Sequence, residues 1–499
     1  MFKKILVANR GEIAKRIFAA CRELGVASIA IYSDADAGAG WVKTADFAYP
    51  LGGTTAADSY LNQEKIFAIA TAAGVDAIHP GYGFLSENAG FAANCAAHGI
   101  KFIGPSPEAM RVMGSKASAR EVATQAGVPV TPGVDGAGKS DAEMVAAAAE
   151  IGYPVLIKAS AGGGGKGMRI VERTEDFLDA LQAARSEAAN SFGDDHILLE
   201  KFFTSIHHIE IQILGDERGK VLHLFERECS IQRRHQKIIE ESPSPTISDE
   251  LRQEIAKAAV SLAEAAGYAS AGTVEFMVTE DGSFYLLEMN TRLQVEHPIT
   301  ELVTGVDLAK WQIRIAAGKP LTLTQDGIDQ RGHAIECRIY AEDPANHFLP
   351  SINTISHCEF PTMPNVRIDA GIATGEAVTP FYDPMLAKVI VWGRTRAEAI
   401  ERMISTLQQS IIIGVTTNIP YLLDILAEPH FQRGETTTHY LVQHFAGWQP
   451  QATLDEELLL AIGAFELLVG GGKTAVSSST SQAEAQPTPW ATASRWRNV

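Results

Sequence analysis

Two glutamates, Glu275 and Glu288, stand at a spacing that could create a metal site. The residues between them are rich in strand formers on both sides of Asp281-Gly282, a dipeptide that favours a two-residue hairpin turn. With that dipeptide as the loop, Glu275 lies directly opposite Glu288 in the hairpin. Like charges that face each other across a ladder are unfavourable. A divalent cation bound by both carboxylates would reverse this effect.

Beyond Glu288, polar side chains continue at every second position: Asn290, Arg292, Gln294 and Glu296. Alternate side chains of an extended chain share one face, so a straight strand would place these groups along one wall. A guanidinium suits two-point contact with a planar anion. A hairpin with a solvated outer face is the alternative for any polar alternation. Here oxygen ligands followed by a guanidinium favour a site for a metal ion and an anion.

The composition is that of a globular protein with a large core: of 499 residues, 46% are hydrophobic and 20% are charged. The length suffices for roughly three domains. The formal net charge of -18 argues against nucleic acid as a main partner, since phosphate binding needs a basic surface. Five cysteines without close pairs predict reduced thiols and no zinc site. With no signal peptide and no membrane-spanning run, we expect a cytoplasmic protein without a membrane partner.

The N-terminal third of the chain alternates strand and helix patterns. Apolar runs at residues 4–8 and 27–32 flank a helical spacing at residues 12–24, which resembles the start of a dinucleotide-binding fold. The glycine fingerprint of that fold is incomplete, because only Gly11 is present where three glycines are needed. We therefore predict a Rossmann-like framework that does not bind a nicotinamide cofactor.

Two further segments could contact phosphates. The glycine run at residues 162–165 lies between strand patterns and lacks the Ser or Thr and the helix of a Walker A loop. It is therefore either a hairpin flap over phosphates or a flexible turn. The segment 226–241 is dense in charges of both signs. Its residues Arg233, Arg234, His235 and Lys237 could neutralise a polyphosphate, but for at least half of these residues we expect a charge-paired surface strand. Residues 299–317 are predicted as one helix.

Six segments, taken together and in order, resemble the biotin carboxylase component of biotin-dependent carboxylases: LVANRGEIA, HPGYGFLSEN, KASAGGGGKGMR, ERECSIQRRHQKIIEE, LLEMNTRLQVEHPITE and AIECRIYAED. The resemblance extends from about residue 1 to about residue 445. It implies an ATP-grasp fold built from α/β and α+β domains. The expected parts are a Rossmann-like N-terminal domain (1–112), linker helices and a lid with the glycine flap (113–203), a C-terminal catalytic part (204–447), and a helical extension with a flexible tail (448–499).

The reaction implied by the resemblance uses ATP and Mg2+ (or Mn2+) to convert bicarbonate into carboxyphosphate, whose CO2 is transferred to N1 of biotin. This is the first half-reaction of an acyl-CoA or pyruvate carboxylase, such as the acetyl-CoA carboxylase of fatty acid biosynthesis. Biotin carriers attach biotin to a lysine next to a methionine, but none of the ten methionines here directly precedes a lysine. We therefore expect a separate biotin carboxyl carrier protein and carboxyltransferase, and a homodimer as is frequent in the family.

The resemblance also implies binding roles for individual residues. The Mg2+ ligands would be Glu275, Glu288 and Asn290. Bicarbonate would be bound by Lys237, Arg292, Gln294 and the backbone of Val295. ATP would be contacted by Lys116, Lys158, Gly164, Gly165, Glu200, Lys201, Phe202, Phe203, His208, Gln232, His235, Glu275 and Glu288. Within this set, residues 200–203 would hold the adenine mostly through backbone hydrogen bonds.

Three residues would act on the reacting groups: Arg292, Glu296 and Arg338. Glu296 would be the general base that deprotonates bicarbonate, and a partly desolvated pocket could raise its pKa enough to help. Arg338 would stabilise the enolate-like oxygen of deprotonated biotin. Tyr82 would line the biotin site beside Arg338.

Two other functions fit part of these motifs. One is a different ATP-grasp ligase that forms an acyl phosphate, such as a purine-pathway carboxylase or a carbamoyl phosphate synthetase domain. The segments QRRHQK and ECRIY argue against it. The other is a non-catalytic ATP-binding subunit, which we expect to have lost a metal ligand or the base. Here Glu275, Glu288 and Glu296 are all present.

Overall fold

The computed structural model describes residues 1–159, 168–192, 195–234, 236–450 and 460–465. The chain divides into two units, Met1–Gln449 and Pro450–Val499. In the second unit, the described residues 460–465 are helical and exposed. None of the helices in the described ranges has the length and apolarity that crossing a membrane requires. All five cysteines are free, as predicted.

The N-terminal part of the first unit alternates strands and helices: β1 (Lys4–Val7), α1 (Gly11–Glu23), β2 (Ala27–Tyr32), β3 (Phe47–Pro50), α2 (Gln63–Ala73), β4 (Ala77–His79), α3 (Ala89–Ala97) and β5 (Lys101–Phe102). The strands form a parallel sheet in the order β3-β2-β1-β4-β5. Ile5 and Val7 belong to one apolar cluster and Leu6 to another, because both faces of a parallel sheet are covered. The predicted Rossmann-like framework is confirmed.

Two helices, α4 (Pro107–Gly114) and α5 (Lys116–Gln125), lead into a small α+β lobe. The lobe contains β6 (Gly133–Asp135), α6 (Asp141–Ile151), β7 (Val155–Ala159), β8 (Met168–Val171), α7 (Thr174–Phe192) and β9 (Ile197–Lys201). Its antiparallel sheet has the order β6-β9-β7-β8. Alternate residues of β7 divide between two environments. Val155 and Ile157 pack into an apolar cluster with α6 and α7, whereas Leu156 and Lys158 line a large cavity.

The next part of the chain contains β10 (Ile206–Gly215), β11 (Val221–Arg233), β12 (Gln236–Ser242), α8 (Asp249–Ala265), β13 (Ser270–Thr279), β14 (Phe284–Asn290), α9 (His297–Thr304) and α10 (Leu308–Ala316). It continues with β15 (His333–Tyr340), β16 (Glu342–Asp343), β17 (Leu349–Pro350), β18 (His357–Glu359), β19 (Val366–Ala370), β20 (Met385–Gly393), α11 (Arg396–Gln409), β21 (Ile411–Ile413), α12 (Ile419–Ala427), α13 (Pro429–Arg433) and α14 (Tyr440–His444). Eight of these strands form one sheet in the order β14-β13-β10-β11-β12-β15-β20-β19. This sheet carries most of the charged residues described below.

The single helix predicted at residues 299–317 is in fact two helices, α9 and α10. Gly305 takes a left-handed conformation at φ +72° and ends α9, as glycine does at many helix ends. The Asp307 side chain then accepts a hydrogen bond from the Lys310 N–H (2.8 Å) and starts α10. The prediction missed this pair of stop and start signals.

The prediction of a charge-paired surface strand within residues 226–241 is wrong, because β11 and β12 are inner strands of the large sheet. Arg227 is completely buried. It forms an ion pair with Glu210. Its remaining hydrogen bonds, of 2.6–3.1 Å, go to Gln212, Thr273, Gln294 and Thr300. A buried charge is tolerated when it is paired and its donors are satisfied.

Replacing Arg227 with Met should therefore strongly destabilise the protein, since it removes one of the two cations that pair with the buried Glu210 and leaves the hydrogen-bond partners of Arg227 unsatisfied. We expect a loss of about 3–5 kcal/mol in the free energy of unfolding, measured by urea denaturation followed by circular dichroism. The matched control is Arg218→Met, because Arg218 is exposed and should change stability by about 0.5 kcal/mol or less. Equal urea midpoints for the two variants would contradict the structural role of Arg227.

Candidate active site

The predicted hairpin is present as β13 and β14, and Glu275 lies directly opposite Glu288, as predicted. The connection differs from the prediction. Its loop has three residues, 280–282, closed by a hydrogen bond from the Thr279 N–H to the Ser283 carbonyl (2.8 Å). A β-bulge next to Glu275 then shifts the register by one residue. The bulge cancels the effect of the longer loop, so the pairing of the two glutamates is unchanged.

The pairing continues across the sheet as a row of charged residues. Glu275 also lies opposite Glu210 of β10, and Glu210 lies opposite Arg227 of β11. Three carboxylates and one guanidinium thus stand side by side on four neighbouring strands, with Glu288 on the edge strand. Since like charges on adjacent strands repel each other, Arg227 alone does not neutralise this row.

Lys237 of β12 supplies the second cation. Its ammonium group forms ion pairs with Glu210, with Glu275 (2.9 Å) and with Glu296 (2.7 Å). Burial favours the neutral amine, but the three carboxylates outweigh it and hold the pKa of Lys237 well above its usual value. Lys237 is therefore a permanent cation at the centre of the site.

The straight strand expected from Glu288 to Glu296 is wrong, because β14 ends at Asn290 and residues 291–296 form a loop before α9. Glu87, on the segment between β4 and α3, bends the chain away from the sheet. Its carboxylate accepts hydrogen bonds from the Thr291 N–H (3.1 Å) and the Arg292 Nε (2.9 Å). The polar residues therefore do not share one strand face.

The loop nevertheless brings its polar groups back to the row of carboxylates. Gln294 donates to Glu275 Oε1 (2.7 Å), and Glu296 reaches Lys237. Arg292 donates to the Asn290 Oδ1 (2.8 Å). The residues predicted to act together do meet, although by a bent path.

The expectation that the pocket raises the pKa of Glu296 is wrong. Burial alone would raise it, but the cations Lys237, Arg338 and Arg227 hold the pKa of Glu296 well below the usual value. A desolvated pocket that also contains cations favours the ionised carboxylate. Glu296 is therefore a carboxylate at neutral pH.

Arg338 of β15 joins Glu296 to a further buried carboxylate. It donates to Glu296 Oε2 (2.9 Å) and to Glu240 Oε1 (2.6 Å). Burial raises the pKa of Glu240 to about 7, although Arg338 opposes this shift. Arg338 is only 8% exposed, so its guanidinium is oriented by two carboxylates at the cavity wall.

One continuous cavity of about 2740 Å3 receives these side chains from every lobe of the first unit. All predicted site residues in the described ranges line it. They are Tyr82, Lys116, Lys158, Glu200, Lys201, Phe202, Phe203, His208, Gln232, Lys237, Glu275, Glu288, Asn290, Arg292, Gln294, Val295, Glu296 and Arg338. The predicted residues Gly164, Gly165 and His235 lie outside the described residues.

Comparison with known proteins assigns the chain to a family. Residues 1–110 match the model of the biotin carboxylase N-terminal domain, 115–324 that of the carbamoyl-phosphate synthase L chain ATP binding domain, and 336–443 that of the biotin carboxylase C-terminal domain. The chain is 51% identical over 447 residues to biotin carboxylase 2 of Bacillus subtilis, which covers 89% of this chain and 100% of that protein. The chain belongs to the biotin carboxylase family.

Other relatives are longer than this chain. It is 50% identical over 445 residues to the mitochondrial methylcrotonoyl-CoA carboxylase subunit alpha of Oryza sativa subsp. japonica, which covers 89% of this chain but only 60% of that protein. Among solved structures, the biotin carboxylase domain dimer of Hydrogenobacter thermophilus 2-oxoglutarate carboxylase, in complex with MgADP, ADP and bicarbonate, has a TM-score of 0.84 and 48% identity. That match covers 90% of this chain and 99% of the solved one.

The site fits the Mg2+ ion that the biotin carboxylase family implies. Glu275 Oε1 already accepts hydrogen bonds, including one from Asn290 (2.9 Å), and its Oε2 lies 3.0 Å from His208 Nε2. Glu288 has no ion pair with any described residue. The Glu288 side chain is exposed, and the protein around it together with the carboxylates of Glu275 and Glu87 raises its pKa, although Lys237 and His208 oppose this shift. Carboxylate and amide oxygens at this place are the ligands that Mg2+ prefers.

A second set of residues that line the cavity has features that suit a nucleotide. Lys158 pairs with Glu200, and the rings of Phe203 and Tyr285 stack with centroids 5.2 Å apart. The N–H groups of Lys201 and Phe202 donate to carbonyls of Pro132 and Pro154 (2.8 and 3.1 Å). These two N–H groups are therefore engaged inside the protein, and donation from residues 200–203 to an adenine would fall to Phe203.

Six residues that orient the biotin carboxylase site were not predicted from the sequence: Glu12, Glu87, Glu210, Arg227, Glu240 and Lys388. Some had a usable signal. Lys388 is a single lysine within the otherwise apolar strand β20, and a charge in such a strand indicates a buried partner. Glu87 lies within the motif HPGYGFLSEN, but nothing in the sequence relates it to Arg292.

Replacing Glu288 with Gln should weaken MgADP binding by roughly tenfold or more, because it removes a metal ligand and its charge. Binding of ADP without Mg2+ should change less than about twofold, because Glu288 would act on the nucleotide through the metal ion. Isothermal titration calorimetry in the presence and absence of Mg2+ separates the two. The control is Glu280→Gln in the exposed loop of the same hairpin. A loss that is equal with and without Mg2+ would contradict the metal site.

Proposed function

We propose that this chain catalyses the first half-reaction of a biotin-dependent carboxylase, in which ATP and bicarbonate carboxylate biotin on a separate carrier protein. The main support for the proposal is the meeting in one cavity of Glu288, which has no ion pair with a described residue, its cross-strand neighbour Glu275, the guanidinium groups of Arg292 and Arg338, and the buried carboxylate of Glu296. The family match supports the same reaction. The residue roles below are proposals that rest on this geometry.

Bicarbonate binds beside the row of carboxylates. Arg292, Gln294 and the Val295 backbone hold it, and the ammonium of Lys237 faces its charge. Glu275, Glu288 and Asn290 would hold Mg2+, which would neutralise charge on the phosphates of ATP. A bicarbonate oxygen attacks the γ-phosphorus, the bond from that phosphorus to the bridging oxygen of ADP breaks, and carboxyphosphate forms.

Glu296 accepts the proton of bicarbonate in this step. Its low pKa is a property of its hydrogen bonds to Lys237 and Arg338. When anionic substrates take over part of these hydrogen bonds, Glu296 loses compensating charge while it stays buried. The loss of cationic contacts raises the pKa of a carboxylate that stays buried. Substrate binding thus converts a weak base into a stronger one.

Arg338 acts in the second step, in which the bond between the carbon of carboxyphosphate and its phosphate oxygen breaks to give CO2 and phosphate. The released phosphate takes the N1 proton of biotin, and N1 then attacks the carbon of CO2. Deprotonation places negative charge on the ureido oxygen, and the guanidinium stabilises it. Glu240 and Glu296 hold Arg338 in place before biotin arrives, so little reorganisation is needed. Tyr82 lines the same wall.

The partners of the chain also belong to the proposal. We propose a biotin carboxyl carrier protein and a carboxyltransferase as separate subunits, a homodimer, and a cytoplasmic location. We also propose that the chain is divided into parts at residues 1–112, 113–203, 204–447 and 448–499. Relatives named for methylcrotonoyl-CoA and pyruvate carboxylases show that the acyl acceptor varies among carboxylases that share this component.

The experiment that tests the proposed function measures ATP hydrolysis by the purified chain with bicarbonate, with and without free biotin. We expect hydrolysis that depends on bicarbonate and is stimulated by biotin. Bicarbonate-dependent hydrolysis that is indifferent to saturating biotin would instead favour an acyl-phosphate ligase of the carbamoyl phosphate synthase type, whose ATP binding domain model matches residues 115–324. MgATP binding without turnover would favour a non-catalytic subunit.

Replacing Arg338 with Ala should lower the biotin-stimulated rate by roughly a hundredfold or more, as the loss of one donor to a developing oxyanion does in other enzymes. The affinity for MgADP should change by less than about threefold, because Arg338 contacts carboxylates and not the nucleotide end. The control is Arg331→Ala, an exposed arginine just before β15. An equal loss of nucleotide affinity and biotin-stimulated rate would contradict the role of Arg338.

A further inference from the structure

Lys388 is a completely buried lysine of β20 that contacts the loop of residues 291–296. Its Nζ donates to the backbone carbonyl of Val295 (2.9 Å). The same ammonium lies 3.2 Å from Glu12 Oε2 and 3.6 Å from Asp369 Oδ2. A lysine buried in this way fixes the position of the carbonyl, because its charge is held between two carboxylates.

Glu12, at the start of α1, is only 5% exposed. While its Oε2 faces Lys388, its Oε1 accepts a hydrogen bond from the Tyr82 hydroxyl. Burial and the neighbouring Glu12 raise the pKa of Tyr82 well above its usual value. The phenol is therefore a hydrogen-bond donor throughout the neutral pH range.

Tyr82 needs such an anchor because its backbone lies in a glycine-rich turn. Gly81 and Gly83 on either side both have φ +66°, in the region that glycine favours. The Asn9 side chain fixes this turn by donating to the carbonyls of Pro80 (2.8 Å) and Tyr82 (2.7 Å). Those bonds position the backbone, while Glu12 is the group that orients the phenol.

We propose that Glu12 is a positioning residue that, together with Lys388, holds the Tyr82 phenol and the Val295 carbonyl in one buried chain of contacts. This chain connects the N-terminal α/β part, which supplies the biotin wall, to the loop that holds bicarbonate. The inference rests on the proposed function, because it takes Tyr82 as part of the biotin wall. It adds that Glu12 acts on biotin through the Tyr82 hydroxyl.

The test is a double-mutant cycle with Glu12→Gln, Tyr82→Phe and the two combined, measured by biotin-stimulated ATP hydrolysis. Tyr82→Phe should raise the KM for biotin by about tenfold, the effect of losing one hydrogen bond. Glu12→Gln should raise it by a smaller factor, because an amide oxygen accepts the Tyr82 hydroxyl more weakly than a carboxylate does. For Glu12→Gln, the KM for biotin should change by a larger factor than the rate of hydrolysis without biotin, because the Val295 carbonyl keeps its hydrogen bond from Lys388. The combined variant should be no worse than Tyr82→Phe alone, because Glu12 then has no hydroxyl to hold.

Glu12→Asp is a further variant for this test, and Glu64→Gln is its control. Glu12→Asp retains the charge beside Lys388 but is too short to hold the phenol, so it should raise the KM for biotin with little loss of stability. Glu64→Gln, on the exposed surface of α2, should change nothing. Additive effects in the cycle, a parallel loss of both rates, or an unchanged KM in Glu12→Asp would overturn the inference alone. Absence of biotin stimulation in the unmodified protein would overturn the proposed function, and the inference with it.

Discussion

Three carboxylates stand side by side on neighbouring strands of the large sheet, and the rest of the site depends on how their charge is neutralised. Glu288, Glu275 and Glu210 are direct cross-strand neighbours, with Arg227 following Glu210 in the same row. Such a row is unfavourable unless cations lie against it. Arg227 compensates one end from within the sheet, and Lys237 compensates the middle. The Glu288 end has no ion pair with a described residue, which supports the proposal of a metal ion there.

The same electrostatic constraint governs the groups that act on substrate. Glu296 shares Lys237 with the row and shares Arg338 with Glu240, so its protonation depends on where those cations are. An incoming anion competes for the same two cations. In the proposed reaction, substrate binding and the basicity of Glu296 are therefore coupled through shared hydrogen bonds.

Local sequence patterns predicted the parts of the fold that depend on near neighbours. The β1-α1-β2 unit and the hairpin of β13 and β14 follow from apolar periodicity and turn residues, and the pairing of Glu275 with Glu288 is confirmed. The straight strand after Asn290 failed because Glu87, about two hundred positions away in the chain, bends it. The prediction of a surface strand at Arg227 failed for a related reason. A strand with many charged residues is predicted to be exposed unless its partners on other strands are known.

The resemblance to a known family supplied most of the predicted residues that line the cavity, while the groups that orient them required the structure. Lys388 and Glu12 are separated by most of the chain, so no local spacing relates them. The direction of the Glu296 pKa shift was also out of reach, because burial and nearby cations act in opposite directions and their balance depends on distances. In each case the missing information is tertiary.

The position of the metal ion is tested most directly by a crystal structure of the protein with Mn2+, ADP and bicarbonate, in which anomalous diffraction locates the metal. We expect a metal peak that is coordinated by oxygens of both Glu275 and Glu288. We also expect the Lys237 ammonium to contact the bicarbonate. A metal bound away from these two glutamates, or a Glu275–Glu288 pair without a cation in the complex, would contradict the proposed metal site.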